Sequence, residues 1–283
     1  MTVPRSAISI RTYDELYRFT NAFAEGHLNL LILIGSAGIA KSQSVRQAIG
    51  KKACWIEGNA TAFGIYTKLY RNRDKLVVID DVDSLYSNKA AVRMLKCLCQ
   101  TDAKKHVAWE TGAVGRDSDD IPREFETTSR VVIIANEWRT VDQNVSAVQD
   151  RGHLVFFEPT PEEVHAQVAS WFWDQAIYDW FGEHLHLIPD HSMRHYVRAY
   201  ELQMSGINWV QHLLGEIPET TRLVAELRAD PTYQSEAERI EAFRARGGGS
   251  RATYFNHKRK LKGTKANPTA IPVLGQIPAR RAA

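Results

Sequence analysis

The run Leu30-Leu31-Ile32-Leu33-Ile34 passes directly into Gly35-Ser36-Ala37-Gly38-Ile39-Ala40-Lys41-Ser42, and Val45 and Ile49 follow at helical spacing. Five consecutive apolar residues have no polar face, so they read as a strand buried on both sides, which means a parallel sheet covered by helices. A strand, a loop of small residues and a helix opening on Lys-Ser build a cradle for phosphate groups. Small residues let the main chain come close, the first turn of the helix presents unpaired N–H groups, Lys41 adds a positive charge, and Ser42 offers a hydroxyl to a divalent cation. The pattern for such a loop is G-x-x-x-x-G-K-[ST], and here Ala40 stands at its sixth position. Alanine avoids positive φ, so the sequence predicts negative φ there.

A second apolar run, Lys75-Leu76-Val77-Val78-Ile79, ends in Asp80-Asp81. It reads as another buried strand that delivers two carboxylates to the C-terminal edge of the sheet, where ligands of open α/β sheets sit. In that position Asp80 is expected to hold the Mg²⁺ shell and Asp81 to orient the water that attacks a γ-phosphate, with Asp83 as a nearby substitute. A third run, Arg130-Val131-Val132-Ile133-Ile134-Ala135, ends in Asn136, whose amide can reach the same water or phosphate. Further on, Asp150-Arg151-Gly152 precedes His153-Leu154-Val155-Phe156-Phe157, which places Arg151 just before a strand.

Over roughly residues 10 to 215 the chain resembles the AAA+ ATPases. Gly35 to Ser42 looks like their Walker A motif in the Ala-Lys-Ser form, and Leu76 to Asp81 looks like Walker B. Asn136 matches the sensor 1 position, and Arg151 matches the arginine finger that reaches a neighbouring subunit's nucleotide. Arg194, in Ser192-Met193-Arg194-His195, resembles the sensor 2 arginine, with Ser192 as the expected cap and Arg198 as a competitor one turn on. The resemblance implies ATP and Mg²⁺ as cofactors and a homo-oligomer, a ring or filament, as the active unit. It also implies a fold: a three-layer αβα P-loop NTPase domain with a parallel sheet over residues 1–160. A helical lid is expected over residues 161–217, since Glu162 to Phe181 and Met193 to Leu214 carry apolar residues at helical spacing.

Charge is distributed unevenly. From Arg244 onward the chain carries ten of its 36 Lys and Arg and none of its 33 Asp and Glu. An acidic body with a basic end points to a polyanion partner, because cations that neutralise phosphates release condensed counterions. Within that end, Ser235 to Ala245 reads as a helix and Gly247-Gly248-Gly249 as a turn. Ser250 then caps a second helix, Arg251-Ala252-Thr253-Tyr254-Phe255-Asn256-His257-Lys258-Arg259-Lys260-Leu261. This is the order of a helix-turn-helix. Phe255 and Leu261 are expected to face the first helix, leaving Arg251, Thr253, Tyr254, His257 and Lys258 for DNA. The segment occupies residues 218–262, and the Pro-containing stretch 263–283 reads as disordered unless bound.

Between Asp81 and Asn136, Met94 to Cys99 reads as a helix, and a hairpin-like insertion follows from His106 to Pro122. No stretch reaches membrane-spanning length, and Met1-Thr2-Val3-Pro4-Arg5 lacks the apolar run of a secretory signal. Cys54, Cys97 and Cys99 lack metal-ligand spacing and read as reduced, mostly buried thiols of a cytoplasmic protein. Together these features predict an ATP-hydrolysing AAA+ protein that oligomerises and acts on DNA, of the initiator, helicase-loader or transposition-regulator type, with a possible protein partner. The alternatives are a MoxR-like protein-remodelling ATPase and an ATP-dependent assembly switch that barely hydrolyses.

Overall fold

The computed structural model describes residues 7–50, 53–58, 60–82, 85–86, 88–109, 121–137, 151–188, 191–215 and 217–261. The chain divides into two compact units, Met1–Pro159 and Thr160–Ala283.

The first unit is built on β1 (Ile8–Ile10), β2 (Leu30–Ile34), β3 (Cys54–Glu57), β4 (Val77–Asp80), β7 (Val131–Ala135) and β8 (His153–Phe157). They form one six-stranded sheet in the order β1-β8-β2-β7-β4-β3, and every pairing in it is parallel. The helices of this unit are α1 (Tyr13–Glu25), α2 (Lys41–Ile49), α3 (Ala62–Arg71) and α4 (Lys89–Leu98). One face of the sheet packs Leu30, Ile32 and Ile34 of β2, Val77 and Ile79 of β4, and Val131 and Ile133 of β7 against Ile65, Tyr66 and Leu69 of α3 and Leu95 and Leu98 of α4. The alternate residues Leu31, Leu33, Val78, Val132 and Ile134 are buried too. On that side α1 packs against α2, and Tyr13 of α1 meets Phe157 edge-on with ring centroids 5.1 Å apart. Helices on both faces explain why the central strands have no polar positions. This is the expected three-layer αβα architecture with a parallel sheet.

The insertion before β7 is an antiparallel hairpin of β5 (Lys105–Ala108) and β6 (Glu124–Thr127). Its Val107, Trp109 and Phe125 join the core beside α3 and α4. Lys105 is buried at 1% exposure; its ammonium donates to Asn29 Oδ1 at 2.8 Å and to the Ser129 carbonyl at 2.5 Å, which fastens the hairpin to the base of the sheet. Burial holds the Lys105 amine below its ordinary range.

The second unit contains α5 (Pro161–Val168), α6 (Gln175–His184), α7 (Arg194–Met204), α8 (Trp209–Gly215), α9 (Glu219–Ala229), α10 (Glu236–Ala245) and α11 (Arg251–Leu261), with a 3₁₀ turn at Leu185–Leu187. The helical stretch expected over Glu162 to Phe181 is therefore two helices, and a second break separates α7 from α8. Thr160 caps α5 by accepting from Glu163 N–H, and Asp174 caps α6 by accepting from Ile177 N–H. Aromatic residues fill the space between α5, α6 and α7. His165 is stacked on Tyr178 at 4.0 Å, its Nδ1 lies 2.7 Å from the Tyr196 hydroxyl, and Tyr196 packs on Phe181 at 4.1 Å. Burial pushes the His165 imidazole down to about 4. A second core joins Ile217, Val224 and Leu227 to Ile240 and Phe243 of α10 and to Tyr254 and Leu261 of α11.

Cys54 and Cys99 are buried and Cys97 is partly buried, all three as free thiols. Among the described residues, no helix is long and apolar enough to cross a membrane.

Candidate nucleotide site

The site forms where β2, β4 and β7 end together. In register, Ile34 lies beside Ala135 and Ile79 beside Ile133, so the residues following these strands emerge at the same sheet edge. They are the loop Gly35 to Ala40, the pair Asp80-Asp81, and Asn136. Hydrophobic runs far apart in sequence thus set three polar groups within hydrogen-bonding reach.

Lys41 opens α2 and is buried at 5% exposure. Its Nζ donates to the carbonyl oxygens of Gly35 at 2.7 Å and Ser36 at 2.6 Å, and to Asn136 Oδ1 at 3.1 Å. The other end of the same amide, Asn136 Nδ2, donates to Asp81 Oδ2 at 2.9 Å. One side chain therefore ties the loop lysine to the second acid. Ser42 Oγ donates to Asp80 Oδ1 at 2.9 Å, which brings the two expected cation ligands into contact. Burial is the main force on Asp80 and holds its carboxyl above the usual range, opposed by the Ser42 hydrogen bond. Arg46, one turn along α2, pairs with Glu57 and lies 3.9 Å over the Trp55 ring. Glu57 is the register partner of Asp80 on the neighbouring strand.

Two features of the loop depend on close approach and backbone strain. A Cβ added to Gly35 would sit 2.5 Å from the Phe157 carbonyl oxygen of β8, so only glycine fits there. Ala40 has φ 61° and ψ 21°, in the left-handed region, which corrects the negative φ expected from its side chain. Its carbonyl is held in that orientation by Ser44, through the backbone N–H at 2.9 Å and Oγ at 3.0 Å, and the Tyr13 hydroxyl donates to the next carbonyl back, Ile39, at 3.1 Å. Asp81 has φ 53°. These are the non-glycine residues with positive φ among the described residues, and both border the same site. Strained backbone of this kind persists only where its surroundings enforce it.

Arg151 precedes β8, and since His153 lies beside Leu31 it falls at the sheet edge opposite the loop, away from its own Lys41. Its Nη1 donates to the Lys96 carbonyl at the end of α4, at 2.5 Å. Arg194 belongs to the second unit, exposed at the first position of α7, and Ser192 Oγ accepts from its N–H at 3.3 Å. Ser36, Ala37, Gly38 and Ile39 lie within the loop as expected. Asp83 lies outside the described residues.

In the basic segment, Ser250 caps α11 by accepting from Thr253 N–H at 3.2 Å, and Leu261 is buried as expected. The DNA-facing set needs correction. Tyr254 is fully buried in the core of α9, α10 and α11, and its hydroxyl donates to Glu236 Oε1 at 2.6 Å. Lys258 pairs with the same Glu236, and His257 Nδ1 lies 2.7 Å from Thr221 Oγ1. These three residues hold α11 to its neighbours; Arg251 is exposed and Thr253 half-buried.

Sequence reasoning missed the supporting parts of the site: Tyr13, the Phe157 carbonyl, and the Arg46–Glu57 pair. None belongs to a motif; the packing of α1 against α2 and the register of β8 and β3 bring them in.

No protein-family model matches this sequence. Over 135 residues it is 29% identical to an uncharacterized 36.7 kDa protein from the nrdC-mobD intergenic region of Enterobacteria phage T4, a match covering 44% of this chain and 41% of that protein. The chain thus spans well under half the length of this curated relative. Among solved structures it is similar to Cdc6p from Pyrobaculum aerophilum (TM-score 0.44, 13% identity, covering 93% of this chain and 88% of that one). It is also similar to the Orc1 protein of Aeropyrum pernix in complex with DNA (TM-score 0.40, 12% identity, 92% and 83%). A Walker-type ATPase of Pyrococcus abyssi aligns at TM-score 0.38 and 10% identity, over 90% of each chain. Likeness at this level is remote, and the fold assignment rests on strand order and on where the motifs fall within it.

Proposed function

We propose that this chain binds MgATP in the loop Gly35 to Ser42, hydrolyses it as part of a homo-oligomer, and acts on DNA. The observation that carries the reading is the chain of contacts Lys41–Asn136–Asp81 beside the Ser42–Asp80 pair. The residues fit the groups they would hold. A glycine with no room for a side chain keeps the loop backbone close, an ammonium lies at its floor, and a hydroxyl and a carboxylate converge for a hard cation. Mg²⁺ bound there would neutralise charge developing on the phosphate oxygens. Lys41 would exchange its loop carbonyls for β- and γ-phosphate oxygens, and Ser42 and Asp80 would hold the cation shell. Asp81 would orient and polarise the attacking water, while Asn136 keeps Asp81 and Lys41 in fixed relation. Arg151, facing away from its own loop, would serve a neighbouring copy's nucleotide, so assembly and turnover would be linked.

Phosphate release by wild-type protein and by Lys41→Ala, each with and without duplex DNA, tests this. Turnover in the wild type and its loss in the variant are expected; equal rates in both would remove the proposal. A second reading, an assembly switch that binds ATP with little turnover, draws on Asp81 being one methylene shorter than glutamate and already bound to Asn136. Release of a single phosphate per subunit would favour it.

A further inference from the structure

The face of α11 turned away from its bundle has a composition of its own. Tyr254 and Leu261 point into the core shared with α9 and α10, and His257 and Lys258 flank them with bonds to Thr221 and Glu236. The turn leading into the helix is tightly set, because a Cβ on Gly248 would lie 2.3 Å from the buried Phe243 ring. Opposite this anchored side, Ala252, Asn256 and Arg259 follow one another at i, i+4 and i+7, and all three are exposed. Arg259 Nη2 donates to Asn256 Oδ1 at 3.2 Å, so the two polar ends lie together. Arg251 is exposed at the start of the helix, Arg244 and Arg246 are exposed at the turn, and no acidic residue occurs between Arg244 and Leu261.

We infer that Ala252, Asn256 and Arg259 form a surface that reads base edges in the major groove of duplex DNA. This rests on the DNA-acting reading above and gives it a substrate: B-form duplex containing an adenine and a guanine on neighbouring steps. An asparagine amide matches the N6/N7 edge of adenine, an arginine fork matches the O6/N7 edge of guanine, and Ala252 lets the helix axis come close. Arg244, Arg246 and Arg251 sit at the rim, where contacts to phosphates position the helix without reading sequence. An exposed helix fits the major groove of B-DNA and not the deep, narrow one of A-form RNA. Phe255, expected to face the first helix, is partly buried against the core of α9, α10 and α11, and the Arg251 guanidinium and the Lys258 amine each lie 5.6 Å from its ring centroid. It is therefore not free to stack on an unpaired base.

The test is selection of the full chain on a pool of duplexes with a randomised core at physiological salt, followed by sequencing and anisotropy titrations. An enriched motif is expected. Asn256→Ala should relax its adenine position and Arg259→Ala its guanine position, each by about 5- to 100-fold in preference. Arg251→Ala should weaken all duplexes alike and flatten the salt dependence. A motif unaltered by both N256A and R259A would overturn the inference. Binding of random duplex without any motif would also overturn it, while leaving the DNA-acting reading intact. Tighter binding of single-stranded RNA than of any duplex would overturn it as well, and no affinity for duplex at low salt would remove both readings.

Discussion

Ala40→Gly is the substitution whose sign depends most directly on the loop geometry. Ala40 holds φ 61° at the start of α2. Left-handed backbone costs an L-residue with a Cβ about 1 to 2 kcal/mol, and glycine at the same φ avoids that cost. Glycine also widens the unfolded ensemble, a loss of about 0.4 to 1 kcal/mol. The balance is a gain of between about zero and 1.5 kcal/mol. For a unit of this size, about 1 kcal/mol corresponds to a Tm change of about 2 to 4 °C. Ala40→Val acts in the opposite direction, because a β-branched residue at positive φ is a genuine outlier, and it should lose at least about 1 kcal/mol. Calorimetric melting of the full chain, following the transition that MgATP shifts, measures both. A40G at or above wild type and A40V below it are expected. Were the backbone instead at negative φ, A40G would show only the entropic loss; a Tm for A40G as low as that of A40V would refute the reasoning.

Gly35→Ala should cost more than about 2 kcal/mol and abolish nucleotide binding, since its methyl group would meet the Phe157 carbonyl at 2.5 Å and nothing there can yield except β8 itself; melting and titration with a fluorescent ATP analogue check this. Asn136→Asp would set a second carboxylate against Asp81 in place of an amide donor 2.9 Å away, so kcat should fall by about 100-fold or more with a much smaller change in KM, as steady-state phosphate release would show. The second unit should lose stability in acid. His165 titrates at about 4 when folded against about 6.5 when unfolded, so the unfolded chain alone takes up the proton between these values. Stability is full above about 6.5 and declines as pH falls toward 4. Melts across that range, with His165→Gln flattening the slope, read it out.

Much of the candidate site's geometry was legible because each part of it follows an apolar run too uniform to be anything but a buried strand. Leu30 to Ile34, Val77 to Ile79 and Val131 to Ala135 locate the sheet edge, and the polar residue after each run is carried there by register. The short strands β1 and β3 were not legible: three or four residues such as Ile8-Ser9-Ile10 become strands through their neighbours and not through any pattern of their own. The φ of Ala40 was misread from its side chain, because local preference of about 1 to 2 kcal/mol was outweighed by the hydrogen bonds that hold the loop and the first turn of α2. Tyr254 was misplaced because Ala252, Tyr254, Phe255 and Leu261 are spread around α11 and give no clear apolar stripe. Only packing against Phe243, with ring centroids 5.4 Å apart, fixes which side faces inward.

Isothermal titration of the full chain with ATP, in the presence and absence of Mg²⁺, tests most directly whether the loop and its facing acids hold a triphosphate. The account predicts saturable, Mg²⁺-strengthened binding that weakens at least about tenfold in Lys41→Ala. Absence of heat at millimolar ATP, or equal affinity in wild type and K41A, would contradict it.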